Sequence, residues 1–248
     1  HAVFLDASKA FDRVQHLKLF RVLLAKGMCP RTLLTLVNMY KDQRLQVRWG
    51  AEHSREIPVS NGVKQGGIIS PVLFTNYLDE LLLALRRSGI GCFVGHTFCG
   101  AFGYADDVAL LAPCRTALRK MLELCDQFAD NYLLKFNPDK SKYLVFDRKK
   151  GGQARELVWR DRTLTESVSE IHLGSSVRSD GRGSDAKALV ERAVSRFYSR
   201  FNVVYNNFHA CHLDTKYFLF KSLCMSVYSA QVWDYKSNHV ELFFCSLA

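Results

Sequence analysis

The sequence predicts an α+β fold, in which a split β-α-β sheet carries helices on one face and a separate helical bundle follows. The apolar run at residues 2–5 is typical of a strand, and residues 99–111 are typical of a hairpin. The full order of predicted elements is strand, helices, strand, strand, helix, strand, which fits a split β-α-β sheet. From about Ser184 onward, the apolar pattern is wholly helical and indicates the bundle.

The N-terminal elements follow from apolar periodicity and from helix boundary signals. Residues 2–5 predict a buried strand that ends at Asp6. Asp12 begins a sequence typical of a capping box, so we expect it to cap a helix that ends near Gly27. A second helix is expected at residues 31–41, after a proline that cannot continue the first.

The same signals predict the remaining elements. Ser70 can cap a helix and the proline after it can open one. The predicted elements are a hairpin at 45–59, a glycine-rich loop at 61–67, a helix at 70–87, a hairpin at 99–111, a helix at 115–132, a strand at 143–146, a charged loop at 147–152 and a strand at 171–177.

Composition limits the partners of the chain. Its formal net charge is +10, and residues 140–200 hold 14 lysines and arginines against 8 acidic residues. A basic excess concentrated in one region favours a nucleic-acid partner, although a basic solvated surface is the alternative. No apolar run approaches the roughly 20 residues that a membrane-spanning helix needs, so we expect no membrane contact.

The eight cysteines show neither a C-x-x-C pair nor a regular spacing. Several lie in apolar surroundings, which favours buried free thiols and a reducing compartment. We therefore expect an intracellular protein of the cytoplasm or nucleus, and not a secreted one. His209 and His212 flank Cys211 and hint at zinc, but no second ligand pair follows at zinc spacing.

Two adjacent carboxylates, Asp106 and Asp107, lie between two apolar runs that favour strands. We expect them to form the two-residue turn of a hairpin. Two anions at such a tip would raise a pKa or require a counter-ion. With Asp6 at the end of a neighbouring strand, three carboxylates would meet at one end of the sheet. Such a cluster can hold two hard divalent cations, although Asp6 alone is also typical of a strand end.

Several motifs resemble those of the reverse transcriptase domain of a non-long-terminal-repeat (LINE-type) retrotransposon. The similarity covers nearly the whole chain, in the order of that family. The matching segments are Phe4-Leu5-Asp6-Ala7-Ser8-Lys9-Ala10-Phe11-Asp12, Gly62-Val63-Lys64-Gln65-Gly66 with Ser70-Pro71-Val72-Leu73-Phe74, Phe102-Gly103-Tyr104-Ala105-Asp106-Asp107, Leu134-Lys135-Phe136-Asn137-Pro138-Asp139-Lys140, Ile171-His172-Leu173-Gly174 and Gln231-Val232-Trp233-Asp234.

This resemblance implies a right-hand polymerase with a ferredoxin-like palm, partial fingers and a helical thumb. The palm would comprise residues 1–12 and 61–180, the partial fingers or palm insertion residues 13–60, and an incomplete thumb residues 181–248. The implied activity is RNA-directed DNA polymerisation, with an RNA template, a DNA primer and dNTPs as partners. Two Mg²⁺ ions, or Mn²⁺, would be the cofactors.

The resemblance also implies roles for individual residues. Asp6, Asp106, Asp107 and the backbone carbonyl of Ala7 would hold the metal ions. The other implied roles are Phe11 as the steric gate against ribonucleotides, Gln65 and Gly66 as contacts of the incoming nucleotide, and Lys140 as the proton donor to pyrophosphate. A core position for Phe11, a solvated turn for Lys140 and a competing role for Lys142 are the alternatives.

Nucleic-acid contacts are implied for a primer-grip segment and for a helical row of arginines. Leu173 and Gly174 belong to the first, although His172 stands where the family usually has tyrosine. The row consists of Arg192, Arg196 and Arg200, which recur at every fourth residue, and its alternative is an exposed solvated face.

Three other functional hypotheses stay open. The chain begins five residues before Asp6, so we expect the family's earlier fingers segments to be absent, and a truncated remnant that only binds nucleic acid is the main alternative. An RNA-templated RNA polymerase shares the metal chemistry but is disfavoured by the aromatic Phe11. Group II intron and retron enzymes are possible relatives because their catalytic motifs overlap. The sequence leaves the oligomeric state open.

Overall fold

A computed structural model describes residues 1–146, 156–179 and 186–225, with only the backbone of residues 186–189. The predicted charged loop at 147–152 and the predicted thumb motif at 231–234 therefore lie outside the described residues. The helices are α1 His16–Ala25, α2 Pro30–Tyr40, α3 Ser70–Arg87, α4 Arg115–Tyr132, α5 Ala186–Asn207 and α6 Leu213–Leu219, with a 3-10 turn at Phe11–Arg13 and a π-helical turn at Phe220–Cys224. The strands are β1 Ala2–Asp6, β2 Arg44–Leu45, β3 Arg48–Trp49, β4 Glu52–His53, β5 Ile57–Pro58, β6 Phe93–Val94, β7 Thr97–Phe98, β8 Ala101–Tyr104, β9 Asp107–Leu111, β10 Lys142–Leu144, β11 Glu156–Trp159, β12 Arg162–Thr165, β13 Ser169–His172 and β14 Ser175–Arg178.

A four-stranded antiparallel sheet with the strand order β10-β1-β9-β8 forms the centre of the fold. Along the chain these strands alternate with two long helices in the order β1-α3-β8-β9-α4-β10. This connectivity is the ferredoxin-like, split β-α-β arrangement. The prediction of an α+β polymerase palm is therefore confirmed, and β1 lies between the acidic hairpin and β10.

The hydrophobic core joins this sheet to α3 and α4. Tyr77, Leu81 and Leu118 are fully buried in it, together with Leu110 of β9. α3 lies so close to β8 that a Cβ atom added at Gly103 would meet Leu82 Cδ1 at 3.1 Å. Helices α3 and α4 thus hold β8 and β9, which meet at Asp106 and Asp107.

The predicted capping box at Asp12 is wrong. Phe11–Arg13 forms a 3-10 turn, and α1 begins only at His16, with Gln15 as its N-cap and no side-chain cap. The Asp12 carboxylate instead accepts a hydrogen bond from Gln65, which lies 53 positions further along the chain. The Asp12 side chain thus makes a long-range hydrogen bond in place of the helix cap that the local sequence predicts.

One hairpin that the sequence did not predict, β11–β12, packs against the core. Leu157, Trp159 and Leu164 are all buried. The Trp159 Nε1–H group donates a hydrogen bond of 3.0 Å to Oδ2 of Asp126 on α4. Burial raises the pKa of the Asp126 carboxyl, an effect that the neighbouring Arg160 and the Trp159 hydrogen bond oppose. The hairpin is therefore an integral part of the sheet domain.

The chain divides into two compact units. One comprises the described residues of His1–Val145 and Gln153–Glu166, and the other those of Phe146–Gly152 and Ser167–Ala248. In the second unit, the predicted single strand at 171–177 is wrong, because β13 and β14 pair as a hairpin around Leu173 and Gly174. No helix in the described part of the chain is both long and apolar enough to span a membrane.

Candidate active site

The strand register brings two predicted metal ligands together. Asp6, the last residue of β1, pairs with Asp107, the first residue of β9. Tyr104 also pairs with Asp107, so the two-residue turn consists of Ala105 and Asp106. The expected Asp106–Asp107 turn is therefore wrong by one residue. Ala105 accommodates the turn with a φ of +50°, a conformation that is uncommon outside glycine.

Asp6 and Asp107 are a like-charged pair directly opposite each other on neighbouring strands. Such partners have Cβ atoms about 4.5–5.5 Å apart, and like charges there are destabilising. Both residues are partly exposed, and Asp106 is adjacent in the turn. Carboxylate oxygens are suited to a hard divalent cation. Within the described ranges, however, no three acidic, histidine or cysteine side chains converge as a metal-binding group.

Lys140 supplies a positive charge beside this pair. Its Nζ atom lies 3.8 Å from Asp6 Oδ2, and its side chain is 67% exposed. Arg162 of β12 holds the same turn through an ion pair of 2.9 Å with Asp139. Lys142, by contrast, lies in β10 opposite Phe4. The geometry thus places Lys140 next to Asp6.

Backbone hydrogen bonds attach the Lys140 turn to the end of β1. The Asn137 N–H donates to the Asp6 carbonyl at 2.8 Å, and the Ser8 N–H donates to the Lys135 carbonyl at 2.8 Å. Between them, the buried Ala7 pairs with Phe136. The first and fourth predicted motifs are therefore adjacent in the fold, with the predicted metal-binding carbonyl of Ala7 between their hydrogen bonds.

The predicted steric gate, Phe11, is also a packing residue. Its ring stacks on the buried Phe74 of α3, with centroids 4.7 Å apart and an interplanar angle of 15°. Phe11 remains half-buried at the edge of the core. A core position and a steric gate are compatible for Phe11, because packing of Phe74 on one face of the ring fixes the orientation of the opposite face.

The glycine-rich loop lies directly on the segment that contains Phe11. The Val63 N–H donates to the Phe11 carbonyl at 2.8 Å, and the Gly62 N–H donates to the Val14 carbonyl at 2.8 Å. Gly62 has a φ of +94°, and a Cβ atom there would lie 3.0 Å from Asp12 Cα. Only glycine therefore fits this contact. The contact brings Gln65 close to Asp12, which the sequence predicts to cap a helix.

The predicted nucleic-acid residues lie in the second unit. Arg192 and Arg196 are exposed on α5, whereas the Arg200 guanidinium donates to the Leu223 carbonyl at 2.9 Å. Arg200 therefore ties α5 to the following π-helical turn. Leu173 and Gly174 form the exposed tip of the β13–β14 hairpin, with φ angles of +50° and +78°. Positive φ at both residues is typical of a type I′ turn.

Comparison with known families identifies the class of protein to which this fold and site belong. Residues 1–174 match the family model described as "Reverse transcriptase (RNA-dependent DNA polymerase)". The chain belongs to the reverse transcriptase family. Members of this family generally use divalent metal ions, which agrees with the acidic end of the sheet.

The matched relatives are retrotransposon proteins. The Pol polyprotein of the type-2 retrotransposable element R2DM of Drosophila melanogaster is 36% identical over 137 residues, which cover 55% of this chain and 13% of that protein. The RNA-directed DNA polymerase from the mobile element jockey, also of Drosophila melanogaster, is 26% identical over 60% of this chain and 16% of its own length. These similarities confirm the resemblance to non-long-terminal-repeat retrotransposon enzymes. The chain spans only a small part of such proteins.

A solved structure supports the fold assignment. Apo telomerase from Candida Tropicalis, truncated from its C-terminal domain, superposes with a TM-score of 0.50 at 12% identity. The superposition covers 72% of this chain and 34% of the telomerase chain. At this identity the likeness shows a shared fold.

Proposed function

We propose that this chain is the polymerase part of an RNA-directed DNA polymerase from a non-long-terminal-repeat retrotransposon. The observation that carries the proposal is the register of Asp6 opposite Asp107, with Asp106 in the adjoining turn. Family membership supports the reaction class. The partners would be an RNA template, a DNA primer and dNTPs. We also propose that residues 1–12 and 61–180 act as the palm, residues 13–60 as fingers and residues 181–248 as the thumb.

The proposed chemistry is transfer of a nucleotidyl group to a primer 3′-hydroxyl. Two Mg²⁺ ions, held by Asp6, Asp106, Asp107 and the Ala7 carbonyl, would supply charge stabilisation at the attacking and leaving oxygens. Lys140 is near enough to Asp6 to serve this site, and its ammonium group can give a proton to the departing pyrophosphate. Manganese has the same preference for oxygen ligands and could replace magnesium.

Phe11 and Gln65 would select the incoming nucleotide. The stacked Phe74 ring limits the movement of Phe11, so a 2′-hydroxyl on the bound sugar would collide with a ring that cannot retreat. Gln65 and Gly66 would contact the nucleotide and the template base. The positive φ of Gly66, +79°, lets the backbone approach a ligand without a side chain.

Primer extension tests the proposal. The purified chain is given an RNA template, a DNA primer, dNTPs and Mg²⁺. We expect incorporation by the parent and its loss in Asp106→Ala, whereas the control Glu123→Ala, which removes an exposed carboxylate from α4, should keep it. If Asp106→Ala incorporated nucleotide as well as the parent did, the catalytic assignment would be wrong.

A second candidate function is binding of nucleic acid without turnover. The net charge of +10 and the exposed Arg192 and Arg196 favour it. Binding of an RNA–DNA duplex should then weaken steeply with salt concentration, because each phosphate contact releases a counter-ion. Salt-dependent binding without primer extension would select this function, and no binding at low salt would eliminate it.

An intracellular location is also part of the proposal. The seven cysteines in the described ranges are all free thiols, which supports a reducing compartment such as the cytoplasm or nucleus.

A further inference from the structure

Asp12 and Gln65 form a hydrogen bond between two exposed side chains that lie far apart in the sequence. Gln65 Nε2 donates to Asp12 Oδ1 at 3.2 Å. A carboxylate can only accept, so this bond determines which end of the Gln65 amide faces Asp12. The carbonyl oxygen of the exposed Gln65 side chain is thereby turned away from Asp12.

The backbone beneath this pair is held in one arrangement. The loop is bonded to the Phe11–Val14 segment on both sides of Asp12, through the Val63 and Gly62 amides. His16 Nε2 lies 2.7 Å from the Gly62 carbonyl oxygen and adds a side-chain link. Because the backbone of the loop is fixed, the remaining conformational freedom of Gln65 lies in its side chain. The hydrogen bond to Asp12 restricts the side-chain rotamers of Gln65.

Asp12 and Gln65 also line one cavity of about 770 Å³. Its wall includes the amides of Gln43 and Asn61 and the cationic side chain of Lys64. Polar amides together with a cation are suited to a phosphorylated, hydrogen-bonding ligand, and the volume lies within the usual range of ligand sites. A nucleotide meets both conditions.

We propose that Asp12 is a positioning residue for the incoming deoxynucleotide, acting through Gln65. By holding the amide in one orientation, it prepares the Gln65 carbonyl oxygen to accept a hydrogen bond from the nucleotide. This inference rests on the proposed function, because it takes the nucleotide as the ligand. Fixing one long side chain in advance changes affinity by about twofold to tenfold.

The test is a double-mutant cycle on nucleotide affinity. The full chain is bound to an RNA template and a DNA primer that ends in a dideoxynucleotide, so that the next complementary dNTP binds in Mg²⁺ without incorporation. Isothermal titration then gives the dissociation constants of the parent, Asp12→Ala, Gln65→Ala and the double variant. Glu123→Ala is the control, because it also removes an exposed carboxylate from the same compact unit.

We expect Asp12→Ala to weaken binding about twofold to tenfold in the parent, and to have no effect once Gln65 is alanine. A merely structural role for Asp12 would weaken binding equally in both backgrounds, and that additive result would overturn the inference. An unchanged affinity in Asp12→Ala would overturn it too.

Extension of an unblocked primer by the parent separates this inference from the proposed function. Extension with an additive cycle overturns the role of Asp12 alone. A coupled cycle without extension supports that role and contradicts the polymerase activity. Absence of nucleotide binding by the parent would overturn both.

Discussion

Replacing Asp6 with asparagine should stabilise the metal-free chain while removing its response to Mg²⁺. Asp107 lies opposite Asp6 in the register of β1 and β9. Two unit charges about 5 Å apart repel by about 0.8 kcal/mol in bulk water and by about 3 kcal/mol at an effective dielectric constant of about 20. The Asp6 side chain is 35% exposed, so the repulsion should lie toward the lower of these values.

Lys140 reduces the expected gain only slightly. Its ammonium group is 3.8 Å from Asp6 and largely exposed, and ion pairs of this kind contribute less than about 1 kcal/mol. Asp6→Asn should therefore raise the free energy of unfolding in EDTA by up to about 1 kcal/mol, which for a chain of this size corresponds to about 2–4 °C in Tm.

The assay is thermal unfolding in EDTA and in Mg²⁺. At a concentration ten times the dissociation constant, a bound ion would stabilise the parent by about 1.4 kcal/mol, and Asp6→Asn should lose most of this gain. Glu123→Gln is the matched control, because it removes the same charge from an exposed position on α4. A variant that equals the parent in EDTA and gains as much from Mg²⁺ would refute the reasoning.

Two further predictions concern the packing around the site. Gly62→Ala should lower the free energy of unfolding in urea by at least about 1 kcal/mol more than Gly50→Ala. Both glycines have positive φ, but only Gly62 has the backbone of Asp12 within 4 Å. Equal losses of stability in the two variants would contradict this prediction. Tyr77→Phe should lower the free energy of unfolding by about 1–2 kcal/mol at pH 8, because the Tyr77 hydroxyl donates to the Tyr132 carbonyl at 2.6 Å and accepts from the Gln15 backbone N–H at 3.3 Å. Burial raises the pKa of Tyr77 to about 12, so the stability that its protonated form contributes is complete below about pH 10 and is lost as the pH rises toward 12. The difference between parent and Tyr77→Phe should therefore narrow across that range in pH-dependent unfolding, and a constant difference would contradict the assignment.

The sheet and its acidic end could be predicted from sequence because local signals agreed with the global fold there. Residues 2–5 and the apolar runs around Asp106 have strand character on their own. The exact register could not be predicted. It depends on which residues of β8 and β9 pair, and the pairing of Tyr104 with Asp107 moves the turn one residue toward the N-terminus.

Other elements depend on long-range contacts that no local pattern carries. The β11–β12 hairpin is fixed by burial of Trp159 and by its hydrogen bond to Asp126 on α4. Leu173 adopts a positive φ at the tip of β13–β14, a conformation that leucine rarely takes, so the only turn signal there is Gly174.

The candidate site also depends on a long-range contact that no local sequence pattern predicts. Asp12 has the local sequence of a helix cap, yet its partner is Gln65, which only the folded chain brings near. The contact between Asp12 and Gln65 could have been inferred from their motifs, because both motifs belong to one family and its active sites bring them together.

Binding of Mn²⁺ measured by electron paramagnetic resonance tests the central claim most directly, namely that Asp6, Asp106 and Asp107 hold the divalent ions of a polymerase. With template, dideoxy-terminated primer and dNTP present, the parent and Glu123→Gln should each bind two ions per chain, and Asp6→Asn and Asp107→Asn should each bind fewer. Equal binding by all four proteins would contradict the account.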